Sequence, residues 1–311
     1  MPQLEYFQNG VLLTGASGFL GGHLARALRG ATSSRTAEAD VRNKSALQEL
    51  AAVWPADVVL HLASKGTVIA PLDAIPEMLD VAVDGLVHLL ACFAPRMLVL
   101  PSSCAVYGDT GLSPVLPSAP TSPLSVYGLS KVISELVLCQ WAATTGNTGI
   151  VLRLGNLIGP SGRGLISYLV NHGLRYPEGS PPAEMRCEGQ LVRDYVPIAY
   201  VVRVFQALLR ENWQPGQTYL FNVGTGKPRT NGQVAVAVQH ALSERGVVLN
   251  VHYSQQPEKG EARLAVMNTR ETDERLALTP PTDGEIDDAI RDAVLFHLES
   301  AKLARAVPAA T

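Results

Sequence analysis

The sequence has little cysteine and little charge for its length. Four of its 311 residues are cysteine, far apart and without a Cys-x-x-Cys pair, which argues against a disulfide scaffold or a structural zinc site and fits a reducing compartment. Charged residues make up 17%, and the formal net charge is −3. This balance gives no electrostatic footprint for nucleic acid or an anionic membrane. We therefore expect a cytoplasmic protein that binds neither.

Long apolar runs are absent too. None approaches the ~20 residues that span a bilayer, and the first ten residues have neither the basic head nor the apolar core of a signal peptide. The seven histidines are dispersed, without the spacing of metal ligands, so we expect no metal. Hydrophobic residues nevertheless make up 47%, enough for a sizeable core, and the length suggests about two domains.

Short apolar runs alternate with helix-length segments in the first half of the chain. The predicted strands are 10–14, 57–62, 96–101 and 149–153, and the predicted helices include 19–28, 82–93 and 126–143. Strands buried on both faces are continuously apolar. Their alternation with helices predicts an α/β fold with a doubly wound parallel sheet. The pattern loosens after residue 160, which indicates a smaller, mixed α/β part.

A glycine-rich turn joins the first predicted strand to the first predicted helix. Gly15 allows a tight turn, Gly18 lets backbone N–H groups approach a pyrophosphate, and Gly21 lets the helix pack closely on the strand. The helix N-terminus favours the phosphate charge. Glycine loops are common, but this context favours dinucleotide binding. The predicted contacts are Gly15, Ser17, Gly18, Phe19, Leu20 and Gly21.

The second strand, predicted within 30–35, bears on the choice of dinucleotide. An acid about 20 residues after the first glycine would bind the adenosine ribose of NAD, whereas an arginine suits the 2′-phosphate of NADP. Arg35 stands at that distance, and no acid precedes Glu38. Ser33, Ser34 and Arg35 therefore favour NADP. An ordinary surface arginine is the equal alternative, so both NAD and NADP stay open.

Tyr127 and Lys131 lie at i and i+4, on one face of a predicted helix. A neighbouring ammonium favours the phenolate, so we expect the pKa of Tyr127 to be lowered. Such a tyrosine can take up or return a hydroxyl proton while hydride moves to or from nicotinamide. The alternative is an ordinary exposed helix pair.

Ser103 ends a predicted apolar strand, 24 residues before Tyr127. The carboxyl ends of strands in such sheets line the ligand crevice, so its hydroxyl could bond the reacting oxygen. A turn or capping serine is the alternative.

These pieces together resemble the extended short-chain dehydrogenases/reductases, the group of nucleotide-sugar epimerases, dehydratases and ketoreductases. The resemblance covers about 10–278. Its motifs follow the family's order, and they stand at residues 14–21, 40–41, 61–63, 102–108, 127 with 131, 153–156, 193–196 and 222–226.

The resemblance implies roles for particular residues. Ser103, Tyr127 and Lys131 would be catalytic, and Lys131 would also hold the nicotinamide ribose. The cofactor would in addition meet Asp40, Val41, Leu62, Ala63 and Ser64. The substrate, a nucleotide sugar, would meet Ser103, Cys104, Ala105, Tyr127, Asn156 and Arg193, with Arg193 at its diphosphate.

The resemblance also implies an organisation. Residues 10–160 would form the dinucleotide-binding Rossmann domain, with later returns near 192–225. Residues 161–191 and 226–311 would form the substrate-binding domain. A homodimer would pair helices within 75–93 and 126–143.

The chain departs from the family's dehydratases, which carry Asp-Glu after the catalytic hydroxyl residue. Cys104 and Ala105 stand there, and Ala105 also replaces the cysteine of the GDP-fucose synthase type. C4 epimerisation of a nucleotide sugar is therefore our leading hypothesis. An NADPH-dependent 4-ketoreductase of a nucleotide ketosugar and a ketone reductase of specialised metabolism stay open. A regulatory protein without chemistry is disfavoured, because Tyr127 and Lys131 are both present.

A second departure concerns the diphosphate. Glu258 stands where the family's epimerases place a diphosphate-binding arginine, and a carboxylate repels a diphosphate. Lys259 and Arg263 are the nearby cations that could replace it.

Overall fold

A computed structural model describes residues 10–28, 34–36, 39–66, 72–111, 113–176, 178–256, 260 and 262–306. The strands in chain order are β1 (Val11–Thr14), β2 (Ser34–Thr36), β3 (Val58–His61), β4 (Met97–Ser103), β5 (Thr148–Leu154), β6 (Asn156–Ile158), β7 (Ala183–Met185), β8 (Val192–Pro197), β9 (Thr218–Val223), β10 (Pro228–Thr230), β11 (Val251–Tyr253) and β12 (Leu264–Ala265). The α-helices are α1 (Phe19–Ala27), α2 (Lys44–Val53), α3 (Ile75–Leu79), α4 (Gly85–Phe93), α5 (Val126–Thr145), α6 (Leu165–Arg175), α7 (Ile198–Leu208), α8 (Asn231–Ser243), α9 (Arg270–Arg275) and α10 (Asp283–Ala306).

The main sheet is parallel throughout, in the order β2-β1-β3-β4-β5-β9. Successive strand residues face opposite sides: Val11 and Leu13 pack with α1 and α7, whereas Leu12 packs with α2, α4 and α5. Both faces are thus covered by helices, as continuously apolar strands require. The predicted doubly wound parallel sheet is confirmed. Because β2 and β3 lie on either side of β1, the ligand crevice of this topology opens at the carboxyl end of β1.

The smaller part is mixed, as expected. Its central strand β8 pairs antiparallel with β10 and parallel with β6 and β12, and β7 pairs with β11. Helices α6, α8 and α10 pack around a second core that includes Leu169, Val238 and Ile290. Of the expected returns near 192–225, β9 joins the main sheet and β8 centres the smaller one. The division of the chain into domains stays a prediction.

Two local features differ from the sequence-based expectation. The helix predicted over 82–93 opens as a π-helix at Asp80–Asp84 and continues as α4. The short strands of the smaller part were not predicted, since two or three residues of mixed polarity carry little periodicity. Among the described residues, no helix combines the length and apolarity needed to cross a bilayer.

Candidate active site

The turn after β1 leaves no room for a side chain at Gly15 or at Gly21. A Cβ on Gly15, which has φ +71°, would lie 2.6 Å from the backbone nitrogen of Ala63, and a Cβ on Gly21 would lie 2.1 Å from the carbonyl oxygen of Gly15. Helix α1 begins after Gly18 with no side-chain cap and no acid in its first turn. Its first N–H groups can therefore receive an anion. This cradle fits the pyrophosphate of a dinucleotide.

The neighbouring strand ends border the same crevice. Thr14 bridges β1 and β3: its Oγ1 lies 2.9 Å from Nδ1 of His61 and accepts a hydrogen bond from the backbone N–H of Ala63 at 3.2 Å. Burial lowers the pKa of His61 to about 3, with a smaller effect of the Lys131 charge. The ring is therefore neutral and serves to hold the two strands together.

The other predicted cofactor residues are placed as follows. Val41 is buried, and exposed Asp40 accepts hydrogen bonds from Arg42, which lower the pKa of Asp40 to about 2. Ser34 and Arg35 lie on β2 beside β1, but their side chains fall outside the described structure. Of the remaining predicted contacts, Ser17 lies in the turn after β1, Phe19 and Leu20 begin α1, and Leu62 and Ser64 follow β3.

The structure brings Ser103, Tyr127 and Lys131 together at the carboxyl ends of β3 and β4. Lys131 is 7% exposed, and its Nζ lies 5.7 Å from the centre of the Tyr127 ring. It donates to Ser64 Oγ at 3.0 Å and to the carbonyl of Pro101 at 3.3 Å. A Cβ on Gly128 would lie 2.6 Å from the carbonyl oxygen of Ala105. This glycine therefore lets α5 approach the chain just after Ser103.

Burial dominates the titration of this group. It raises the pKa of Tyr127 to about 12, against a hydrogen bond with Ser103 that acts in the opposite direction. Burial also lowers the pKa of Lys131 to about 8, although the charge of Glu135 raises it. The expected lowering of the pKa of Tyr127 is thus wrong: the pKa is raised in the protein without cofactor or substrate. The reason is that desolvation of the phenolate outweighs the hydrogen bond with Ser103, and the charge of Cys104 adds to the upward shift.

Beside this group lies a cavity of about 410 Å³ between the main sheet and the smaller part. All six predicted substrate residues line it, and they are Ser103, Cys104, Ala105, Tyr127, Asn156 and Arg193. The arrangement puts one phenol and one serine hydroxyl at the wall of a cavity that is large enough for part of a sugar nucleotide.

The chain matches the NAD dependent epimerase/dehydratase family over residues 11–224. It belongs to this family. The resemblance to extended short-chain dehydrogenases/reductases is thereby confirmed.

Individual relatives are distant but cover the whole fold. The UDP-glucose 4-epimerase of Azospirillum brasilense is 25% identical over 326 residues, covering 92% of this chain and 91% of that protein. The UDP-glucose 4-epimerase of Thermus thermophilus, solved in complex with NAD, has a TM-score of 0.79 at 22% identity and covers 93% and 98% of the two chains. RMD from Pseudomonas aeruginosa, solved with NADPH, has a TM-score of 0.79 at 23% identity and covers 94% and 99%.

Cys104 stands where the family's dehydratases carry an acid, and the structure shows the environment of its thiol. It is buried behind Ser103, and burial raises the pKa of its thiol to about 11. The charge of Arg193 acts against this only in part. The thiol is therefore protonated at neutral pH and does not act as a base.

A buried polar network holds α5 against the main sheet, and sequence reasoning missed it. Glu135, one turn after Lys131, accepts from Ser102 Oγ at 2.5 Å and from Arg153 at 2.6 Å. Arg153 lies over the ring of Tyr107, whose hydroxyl donates to Asn222 at 2.6 Å. These bonds tie α5 to β4, β5 and β9. An acid on an otherwise buried helix face, four residues after Lys131, was the available signal.

Several cavity residues were also missed. Tyr195, whose hydroxyl donates to Asn231 at 2.7 Å, follows Arg193 in a motif that the sequence analysis named. Arg163 lines the cavity from the loop between β6 and α6. Small residues form part of the wall, namely Ala262, Ala265 and Ala293. Among the described residues, no group of histidine, cysteine and acidic side chains could hold a metal ion.

Proposed function

We propose that this protein is a nucleotide-sugar C4 epimerase that acts on a UDP-hexose with NAD. The family membership supports an NAD-dependent enzyme. The names of its relatives, UDP-glucose 4-epimerases among them, support the substrate class. The chain also lacks the acid pair that the family's dehydratases use, because Cys104 and Ala105 take those places.

The composition of the cavity wall carries the proposal. Among the described residues that line it there is no carboxylate and no histidine, and the groups with an exchangeable proton of intermediate acidity are Cys104, Tyr127 and Tyr195. The Cys104 thiol is buried behind the serine, and the Tyr195 hydroxyl donates to Asn231 in the smaller part. Tyr127, in contrast, has a hydrogen bond with Ser103 and the Lys131 ammonium 5.7 Å from its ring centre. Tyr127 beside Ser103 is left as the acid and base. One acid/base group suffices for epimerisation, whereas loss of water from the sugar needs more.

The proposed roles follow from position. Tyr127 Oη takes the proton of the sugar 4-hydroxyl as the carbonyl forms and returns it as the carbonyl is reduced. Ser103 holds the same oxygen. Lys131, anchored by Ser64 and the Pro101 carbonyl, supplies a positive charge that favours the phenolate. Turning the 4-ketosugar between the two steps needs free space, and the small side chains of Ala105, Ala262 and Ala265 leave it.

The dinucleotide would lie over the glycine turn, with its pyrophosphate at Gly18 and Phe19, its adenine near Asp40 and Val41, and its ribose at Lys131. When bound, it supplies a nicotinamide ring that accepts a hydride from C4 and returns it, so one cycle consumes no cofactor. A preference for NADP through Arg35 stays a prediction. Competition between NAD and NADP for the protein stripped of cofactor would decide it.

Incubation with UDP-galactose tests the function. We expect UDP-glucose to form, as measured by NMR, without net change in NADH absorbance near 340 nm. Native mass spectrometry should find NAD bound to the protein as isolated. Stoichiometric consumption of NADPH with a 4-ketosugar would instead identify a ketoreductase, and an absence of both reactions would reject nucleotide-sugar redox chemistry.

We also propose a homodimer in the cytoplasm. Leu129 and Leu136, seven residues apart on one face of α5, are 46% and 64% exposed, and Val87 on α4 is exposed as well. Such a stripe gains free energy when a second copy covers it. All four cysteines are free thiols, which supports a reducing compartment.

A further inference from the structure

The charge of the cavity wall has one sign. Of the described residues that line the cavity, Arg163 and Arg193 are the charged ones, and both are cationic. A sugar nucleotide carries its negative charge on the diphosphate. Guanidinium groups recognise phosphate oxygens through paired, charge-assisted hydrogen bonds.

We propose that Arg163 is the second diphosphate-binding arginine of this chain and acts together with Arg193. The inference rests on the proposed function, and it assigns to the 159–164 loop a task that Glu258 cannot perform. Arg263, an alternative from the sequence, is exposed and is not among the described lining residues; its backbone N–H donates to Asp109 Oδ2 at 2.9 Å. Lys259 lies outside the described residues.

The loop that carries Arg163 is held in place from two sides. His23 of α1 donates from Nε2 to the carbonyl of Pro160 at 3.0 Å, and His297 of α10 donates from Nε2 to the carbonyl of Gly162 at 2.9 Å. Within the loop, the Gly162 N–H donates to the Gly159 carbonyl at 3.1 Å. The backbone at Arg163 is therefore fixed before substrate binds, which lowers the entropic cost of the contact.

The guanidinium of Arg163 is available for an anion. Within the described parts of the chain it has no hydrogen-bond or ion-pair partner, and the side chain is exposed at the cavity. Helix α6 begins two residues later with no acid in its first turn, and Leu165 and Ile166 of that turn line the same cavity. The positive end of this helix adds to the charge of the two arginines.

Calorimetric titration of the NAD-loaded protein with UDP and with uridine tests the assignment. We expect Arg163→Ala to weaken UDP binding at least tenfold and uridine binding less than twofold, because only UDP carries the diphosphate. Arg163→Lys should fall between the wild type and Arg163→Ala, since lysine keeps the charge but not the paired donors. Arg263→Ala is the matched control and should bind UDP as the wild type does.

Three results would overturn the inference: unchanged UDP affinity in Arg163→Ala, an equal loss for uridine and UDP, or a wild type that does not bind UDP. A loss in Arg263→Ala alone would move the role to that residue. The binding readout does not depend on turnover. A wild type that binds UDP through Arg163 but does not epimerise UDP-galactose would therefore reject the proposed function and leave this inference standing.

Discussion

Tyr127 and Lys131 lie together in a buried environment that destabilises the charged form of each side chain. Burial disfavours the phenolate of the first and the ammonium of the second, so their pKa values are shifted to about 12 and about 8. In the proposed mechanism, the ammonium of Lys131 favours the phenolate of Tyr127, so that the phenol can exchange a proton with the sugar hydroxyl.

The first prediction concerns the phenol. Tyr127→Phe removes the proposed acid and base but keeps the ring that packs beside Lys131, so we expect kcat to fall by about 10² to 10⁴. NAD content, measured by native mass spectrometry, should stay close to one per chain. Tyr168→Phe is the matched control, because Tyr168 is 42% exposed on α6 and, among the described residues, its hydroxyl bonds the Glu184 backbone. Turnover in Tyr127→Phe near the wild-type rate would contradict the assignment.

The second prediction concerns the free energy of unfolding. The pKa of Lys131 falls from 10.5 to about 8 on folding, which corresponds to about 3 kcal/mol. The folded state therefore binds fewer protons than the unfolded state between these values, so wild-type stability gains with rising pH in that range. The burial cost is fully present below pH 8 and disappears toward pH 10.5.

Lys131→Met removes this titration. The free energy of unfolding of Lys131→Met, relative to that of the wild type, should thus decline by about 2 to 3 kcal/mol between about pH 7 and pH 10. Loss of the bonds to Ser64 and Pro101 adds an offset that does not change with pH. Urea unfolding at several pH values measures the difference. Parallel curves for the two proteins would show that Lys131 is not protonated differently in the folded state.

At the level of secondary structure, adjacent Gly21 and Gly22 in α1 allow a test of the turn between β1 and α1, because they differ in the space available for a side chain. In Gly21→Ala the new Cβ would lie 2.1 Å from the carbonyl oxygen of Gly15, whereas in Gly22→Ala the nearest atom, the carbonyl oxygen of Ala16, is 3.6 Å away. We expect Gly21→Ala to displace the turn and to weaken NAD binding at least tenfold. Gly22→Ala should keep NAD and gain about 0.5 to 1 kcal/mol of stability, because alanine is the better helix former.

NAD content and thermal unfolding, measured on both variants, check this prediction. Equal NAD content in Gly21→Ala and the wild type would mean that the turn is not the cofactor cradle. Loss of NAD in both variants would point to α1 as a whole rather than to the packing of Gly21.

The secondary-structure elements show how much of the fold the sequence could predict. Strands such as β1 and β3 are almost continuously apolar and alternate with helices, so the parallel sheet followed from pattern alone. Strand β2, which is Ser-Arg-Thr, lacks this pattern. Short strands such as β10 and β12 were missed because their pairing with β8 depends on contacts distant in sequence. Ser103, Tyr127 and Lys131 were predicted together from motifs. Arg163 was not, because a single arginine in a glycine-rich loop carries no local signal.

At the scale of the whole molecule, the cavity draws on both parts of the chain. Ser103 and Tyr127 come from the ends of the main-sheet elements, whereas Arg163, Arg193 and Ala293 come from the loop before α6, from β8 and from α10. In the proposed function, the acid/base group thus lies on the main sheet and the substrate-binding arginines lie on the smaller part. This arrangement lets relatives of one fold change substrate without moving the acid/base group.

The exposed face of α5 leads to the last prediction. In the proposed dimer, Leu129 and Leu136 of α5 face a second copy of the chain, so glutamates there would place like charges in a desolvated interface. We expect Leu129→Glu with Leu136→Glu to halve the mass measured by light scattering after gel filtration, with NAD content retained as evidence of folding. Val236→Glu is the control, since Val236 is 60% exposed on α8, a helix of the smaller part, and the mass of this variant should equal that of the wild type. A wild type that is monomeric would reject the proposed dimer. A double variant of unchanged mass would show that the dimer contact does not lie on this face of α5.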